Sequence, residues 1–279
     1  MKVFYDPRQS VANADSFSPS AGKPVKALES WERLGFSVER MSFQPLRPAD
    51  IALAHDRTFV DDVLSCRRAN GFGNVLSTVA ASLPYTTGSF YAAARHAVIH
   101  KESCASPTSG FHHACYDSSG GFCTFNGLMV AAIKLLKDLR VGRVGVLDID
   151  AHYGNGTVNI MDRLEVDQVV HYTFGADALA EKETSGQWLT NFPTVLERFK
   201  DCDVILYQAG ADPHVNDPLG GVLTTQQMFE RDRLVFDFCH RSGIPVAWNL
   251  AGGYQDPLRR VLDLHDNTAR AFAEVYGGT

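Results

Sequence analysis

No run of apolar residues in this chain is long enough to cross a membrane, and its opening MKVFYDPRQS lacks the apolar core of a secretion signal. A cytoplasmic protein with no membrane contact is the expectation. Positive charge is not in surplus: 26 Lys and Arg face 32 Asp and Glu, for a net −6, with no block of like charges. Nucleic acid is therefore not an expected partner, because phosphate binding needs a basic field. The six cysteines form no C-x-x-C pair and are too dilute in 279 residues for a disulfide framework. They read as reduced thiols. Internal repeats, low-complexity tracts and Pro/Gly/Ser linkers are absent too, so one domain over residues 1–279 is the simplest organisation.

The stretch that organises the rest is Arg143 to Thr157, RVGVLDIDAHYGNGT. It opens as a buried strand, with Val144, Val146, Leu147 and Ile149. Into that run are set Asp148, Asp150 and His152, two residues apart, which in an extended chain leave on one side. A buried carboxylate is costly unless it is paired, hydrogen-bonded or metal-bound. Gly154-Asn155-Gly156 reads as a tight loop that ends the strand. No third glycine follows at the spacing a dinucleotide fingerprint needs.

Further strands are expected at Lys2–Tyr5, Asp167–Thr173, Val204–Tyr207 and Ile244–Leu250. Helices are expected at Lys26–Leu34, Pro48–Leu53, Thr58–Arg68, Ser89–His100, Gly127–Leu139, Pro193–Lys200, Gln226–Arg241 and Pro257–Val275. Ser103 to Gly121 reads as a loop too long to be a mere connector. The alternation of strand and helix after residue 140 predicts βαβ units and a mostly parallel α/β sheet flanked by helices.

Ligands of parallel sheets bind beyond the strands' C-terminal ends. Three expected ends carry unusual polar groups: Asp148/Asp150/His152, then Asp212, then Gly252-Gly253-Tyr254. Asp150, His152 and Asp212 would form a one-nitrogen, two-carboxylate set with an open position, the catalytic pattern for zinc. The same set accepts Fe(II), Mn(II) or Co(II), so the metal stays open. His112-His113, in the glycine-rich loop, would serve as general base and acid partner beside a metal, or form a solvated surface pair.

Five ordered motifs carry a resemblance: Gly-Phe-His112-His113-Ala, Gly121-Phe122-Cys123-Thr-Phe-Asn126, Asp148 through Thr157, Gly210-Ala-Asp212 with Asp217-Pro-Leu-Gly-Gly221, and Gly252-Gly253-Tyr254. Together they resemble the histone deacetylase superfamily, which includes acetylpolyamine amidohydrolases. The resemblance implies an arginase/deacetylase-like fold and a zinc-dependent amidohydrolase with one Zn²⁺ per chain on Asp150, His152 and Asp212. It also implies His112 and His113 as tandem histidines flanking the reacting water, with His113 as base and acid. Asp148 would orient His112 and Asn155 would partner His113. Tyr254 would donate to the oxyanion, and Gly121 and Phe122 would line a substrate channel. A structural potassium ion would lie on Asp148, Thr173 and Phe174, with the carbonyls of Asp150 and His152.

The chain also departs from that family's pattern. Tyr153 stands for a second histidine, Ser109-Gly110-Phe111 replaces Pro-Pro-Gly, and Gly175 replaces a histidine. The opposite channel wall has no clear motif, and Trp188 and Phe192 are its candidates. No aspartate near Ser82 to Gly88 is placed to grip a peptide backbone, so a small acylated amine is the expected substrate rather than a histone-like peptide. An esterase or lyase on the same metal, and a silent binding module, are the alternatives. Relatives range from monomers to tetramers, so an oligomer stays open.

Overall fold

The computed structural model describes residues 1–139 and 141–277. Seven strands form one sheet: β1 (Lys2–Phe4), β2 (Glu39–Met41), β3 (Cys104–Ser109), β4 (Val144–Asp148), β5 (Val169–Thr173), β6 (Val204–Gly210) and β7 (Val246–Ala251). Their spatial order is β2-β1-β3-β7-β6-β4-β5, and every neighbouring pair is parallel. All C-terminal strand ends therefore open on one edge. Parallel strands need crossovers, and helices supply most of them.

The helices are α1 (Lys23–Arg33), α2 (Pro48–Ile51), α3 (Arg57–Leu64), α4 (Ser77–His100), α5 (Gly127–Asp138), α6 (Asn155–Leu164), α7 (Ser185–Leu196), α8 (Thr225–Ser242) and α9 (Arg259–Tyr276). They cover both faces, so central strands bury both sets of alternating side chains. In β6, Ile205, Tyr207 and Ala209 pack under α7, α8 and α9, with Phe199 and Phe236. Val204 and Leu206 face the opposite layer of α3, α4 and α5, with Phe90 and Leu128.

The structure departs from the sequence expectations in five places, one being α7, which begins at Ser185, eight residues before the expected Pro193. Helix α4 starts at Ser77, twelve residues before Ser89, and carries Pro84 inside it. Burial of Val79, Ala80 and Leu83 outweighs the local cost of Pro84, and Gly88 lets the helix lie on the backbone of Gln44 to Leu46. Strand β3 occupies the first part of the presumed loop; its small, polar CASPTS has no apolar alternation to announce it. Likewise β2, only Glu39–Met41, was too short and polar to signal itself. Finally, Asn155 and Gly156 begin a helix instead of closing a tight loop.

Candidate active site and metal centre

Helix α6 explains that last departure. Its first free amides, Gly156 N and Thr157 N, donate to the His112 carbonyl at 2.9 and 3.1 Å. The approach is so close that a Cβ on Gly156 would sit 2.3 Å from the Ala114 carbonyl oxygen. Asn126 adds Nδ2 bonds to Ala114 O (3.3 Å) and Thr157 Oγ1 (3.1 Å). His55 Nδ1 donates to Cys115 O at 2.9 Å, while its Nε2 accepts from Asn126 N at 2.8 Å. The histidine loop is thus clamped from both sides. It carries strain as well: Phe111 has φ +117° and Phe122 has φ +62°, left-handed conformations that cost bulky residues about 1–3 kcal/mol each.

Within that clamp the two histidines have different partners. His112 Nδ1 donates to Asp148 Oδ2 at 2.7 Å, and its Nε2 lies 3.6 Å from Asp150 Oδ1. His113 Nδ1 donates to Asn155 Oδ1 at 2.6 Å. Since an amide oxygen only accepts, that bond leaves the His113 Nε2 lone pair free. Burial disfavours the charged form of His112, yet Asp148 and Asp150 outweigh it and lift its pKa to about 9. Burial and the neighbouring His112 charge push His113 below its ordinary value. Adjacent imidazoles, with ring centroids 4.0 Å apart, are driven to opposite protonation states.

Asp150, His152 and Asp212 converge beside them, one donor atom from each lying within 4.8 Å of the others. The His152 Nδ1 is 3.0 Å from Asp150 Oδ1 and 2.9 Å from Asp212 Oδ2. Asp150 is 3% exposed and Asp212 is fully buried. Burial and the Asp150 charge push the Asp212 carboxyl up, against the opposing pull of the His152 imidazole between the two carboxylates. Two buried carboxylates and an imidazole suit a borderline divalent ion with a vacant coordination position.

The Gly252 backbone forms the wall behind Asp212, where a Cβ would come within 2.2 Å of Asp212 Cγ at φ +50°. Its carbonyl accepts from Nζ of Lys23, a fully buried lysine on α1. Burial brings that ammonium down to about 8 against the pull of Asp212, Asp150 and Asp217. Two residues on, Tyr254 N donates to Asp217 Oδ2 at 2.7 Å. Burial and then the Asp150 and Asp212 charges push the Tyr254 phenol far above its usual range, so it stays a proton donor. Sequence reasoning assigned no role to Lys23 and none to Asp217 beyond its motif. Lys23 lies 229 residues from its partner, and no local pattern links them.

Gly121 lies against His113, since a Cβ there would be 2.3 Å from His113 Cδ2, and Phe122 stands 5.7 Å from the Tyr254 ring. Thr173 Oγ1 accepts from Gly154 N at 3.0 Å, beside Asp148. Asp148 Oδ1 accepts from Gln208 Nε2 at 2.9 Å. Phe174 is fully buried, in edge contact with Trp188 at 4.7 Å. Trp188 and Phe192 stack on each other in the core under α7 and α8, so neither reaches a channel wall.

The family model described as "Histone deacetylase domain" matches residues 20–174 and 177–268. The chain belongs to the histone deacetylase family. Among curated relatives, the "Probable deacetylase" of Methanothermobacter thermautotrophicus is 32% identical over 174 residues, 52% of this chain and 51% of that protein. The chain spans from about half to two thirds of the length of the first curated relatives it matches. Among solved structures, the HDA15 HD domain superposes with TM-score 0.78 at 19% identity, covering 100% of this chain and 91% of that one. An acetylpolyamine aminohydrolase from Burkholderia pseudomallei gives TM-score 0.72 at 18% identity, covering 99% and 98%. At those identities the superpositions establish the histone deacetylase fold alone.

Proposed function

We propose that this histone deacetylase homologue is a zinc-dependent amidohydrolase, with residues 1–279 acting as one catalytic domain. Its substrate would be a small N-acylated amine, an acetylated polyamine or acetyl-lysine, from which it removes the acetyl group. The observation that carries the reading is the geometry of the tandem pair, His113 with its Nδ1 on Asn155 and His112 with its Nδ1 on Asp148, beside a three-donor carboxylate–imidazole cluster. Family membership and the fold of the Burkholderia enzyme support the amide as substrate.

Asp150, His152 and Asp212 would hold the zinc ion, which when bound supplies Lewis acidity for an amide carbonyl and acidifies water. His113 Nε2, with its lone pair free, takes a proton from the attacking water and returns it to the departing amine nitrogen. Asn155 keeps the ring in the tautomer this needs. His112, oriented by its Nδ1 bond to Asp148, turns its other ring nitrogen toward the reacting centre, where it would hydrogen-bond the attacking water. Tyr254 donates its hydroxyl proton in a hydrogen bond to the carbonyl oxygen as that oxygen gains charge. Gly121 and Phe122 flank the approach to these groups. A structural potassium ion would lie on Asp148, Thr173 and Phe174, with the backbone carbonyls of Asp150 and His152.

The test is zinc content together with turnover of a fluorogenic acetyl-lysine amide, before chelation, after it, and after zinc is restored. About one zinc per chain and reversible, chelator-sensitive turnover is the expected result. His113→Ala should lose turnover by about 10²–10⁴-fold while keeping its zinc. A protein that binds no zinc, or a variant as active as the parent, overturns the reading.

A further inference from the structure

The bond from His113 Nδ1 to Asn155 Oδ1 has a second state that the two residues by themselves do not exclude. An asparagine amide turned over presents Nδ2 where Oδ1 was, and the two groups are nearly the same size. His113 would then accept at Nδ1 and carry its proton on Nε2, and the lone pair a base needs would be gone. Each state is self-consistent. Asn155 is exposed, and water, which donates and accepts alike, favours neither. The choice between them has to come from another side chain.

Cys115, two residues past His113, is in place to make it. Asn155 Nδ2 donates to Cys115 Sγ at 3.6 Å, and Sγ donates its one hydrogen to the His113 carbonyl at 3.7 Å. With that hydrogen engaged, Sγ offers Asn155 only lone pairs, which accept from an amide N–H and repel an amide oxygen. The bonds close a ring, from His113 Nδ1 to Asn155, from Asn155 to Cys115, and from Cys115 back to the His113 carbonyl. Turning the amide over would set its oxygen against sulfur lone pairs, or draw the thiol away from that carbonyl. The sulfur is held there by its own backbone: Cys115 N donates to Ser118 O at 2.9 Å, and Cys115 O accepts from His55 Nδ1 at 2.9 Å. Tyr116 N then donates to Asn159 Oδ1 at 2.9 Å, which ties this segment to α6, the helix that Asn155 begins.

We propose that Cys115 is a positioning residue for the reaction: its thiol fixes the Asn155 amide, and through it the Nδ1–H tautomer of His113 that leaves Nε2 free to take a proton. The inference rests on the reading proposed above and deepens it. Sulfur is a weak donor and a weak acceptor, so the ring biases one tautomer over the other without locking it. Serine at 115 would offer the same donor and acceptor, whereas valine would fill the same space with neither. Aspartate at 155 has two oxygens and no wrong face, and would make the choice by Cys115 redundant.

Cys115→Val and Cys115→Ser, each made in the parent and in an Asn155→Asp background, test this in zinc-loaded protein. Cys115→Val should lower kcat about three- to tenfold, the range of one modest hydrogen bond, with KM and zinc content unchanged. Cys115→Ser should recover most of that loss. In the Asn155→Asp background, Cys115→Val should cost less than about twofold. Nitrogen-15 NMR of histidine-labelled protein reads the tautomer without turnover: His113 should carry its proton on Nδ1 in the parent and in part on Nε2 in Cys115→Val. A kcat unmoved by Cys115→Val, an equal loss in both backgrounds, or a loss that Cys115→Ser shares in full overturns the proposal. A tautomer shift in a protein that turns over no acetyl amide would keep the positioning and overturn the proposed reaction instead.

Discussion

Two groups of buried charge lie on either side of β6, and the fold treats them in opposite ways. Under the sheet, Asp232 accepts from Arg231 Nε at 2.9 Å, from Thr268 Oγ1 at 2.6 Å and from the Tyr207 hydroxyl. Arg231 in turn donates to the Gly210 carbonyl at 2.8 Å. One cation meets one anion, and the surrounding donors complete the set. At the strand ends, Asp148, Asp150 and Asp212 crowd around His112 and His152, with the buried Lys23 ammonium close enough to feel Asp150 and Asp212. The first group is balanced by its own residues and stabilises the fold. The second gathers three carboxylates around two imidazoles, the donor set of the candidate metal site.

The largest effect should come from breaking the second group. Asp212→Asn removes a carboxylate that burial and Asp150 already disfavour. Zinc content should fall from about one per chain to near zero and turnover should vanish, while melting temperature in chelator stays level or rises. A clear drop in that melting temperature would place Asp212 with the structural group. Arg231→Met is the reverse test. It strands Asp232 without its cation and should cost about 3–5 kcal/mol in urea unfolding, with zinc per folded chain unchanged.

His55 sharpens the contrast within one loop, being as firmly neutral as His112 is charged. Burial holds its pKa at about 4 against the ordinary 6.5. An unfolded chain takes up this proton near pH 6.5, whereas the folded chain refuses it until about pH 4. The stability contribution is therefore complete above 6.5 and lost as pH falls through that window, by about 3 kcal/mol. Urea unfolding at pH 7.5 and 4.5 should show that loss in the parent and much less of it in His55→Gln. The smallest effect is expected at Lys23, the one ammonium buried near the carboxylates. Lys23→Met should slow kcat about tenfold, or about 1.4 kcal/mol, by freeing the Gly252 carbonyl, yet leave zinc bound at least as tightly. Weakened zinc binding would show that Lys23 supports the donor set itself.

What was legible in the sequence follows from the same contrast. Chemistry concentrated in short runs, such as Asp148 to Asn155, His112-His113 and Gly252 to Tyr254, announces itself because close spacing on one strand end needs a reason. The α/β order from β4 onward was equally readable, because those strands are continuous apolar runs. Lys23 was not, since it matters through a partner 229 residues away that only the fold brings near. Strand β3 was hidden because its buried face is made of serine, threonine and alanine, whose hydroxyls pair internally, as Ser106 does with Ser89 at 2.6 Å. Polar residues satisfied by each other look, in sequence, like a loop.

The strand order has a consequence for how the molecule comes into being. β7, the last of the seven strands in chain order, lies in the middle of the sheet and joins β3 to β6. Until residues 246–251 emerge, β2-β1-β3 and β6-β4-β5 are two half-sheets with open edges. Asp150, His152 and Asp212 all belong to the second half and can gather early. The Gly-Gly-Tyr turn follows directly from β7, and the histidine loop follows β3. The three candidate metal donors therefore lie in one half-sheet, whereas the rest of the site needs β7 in place. Insertion of the central strand is what brings the candidate metal donors, the histidine loop and the Gly-Gly-Tyr turn into one site.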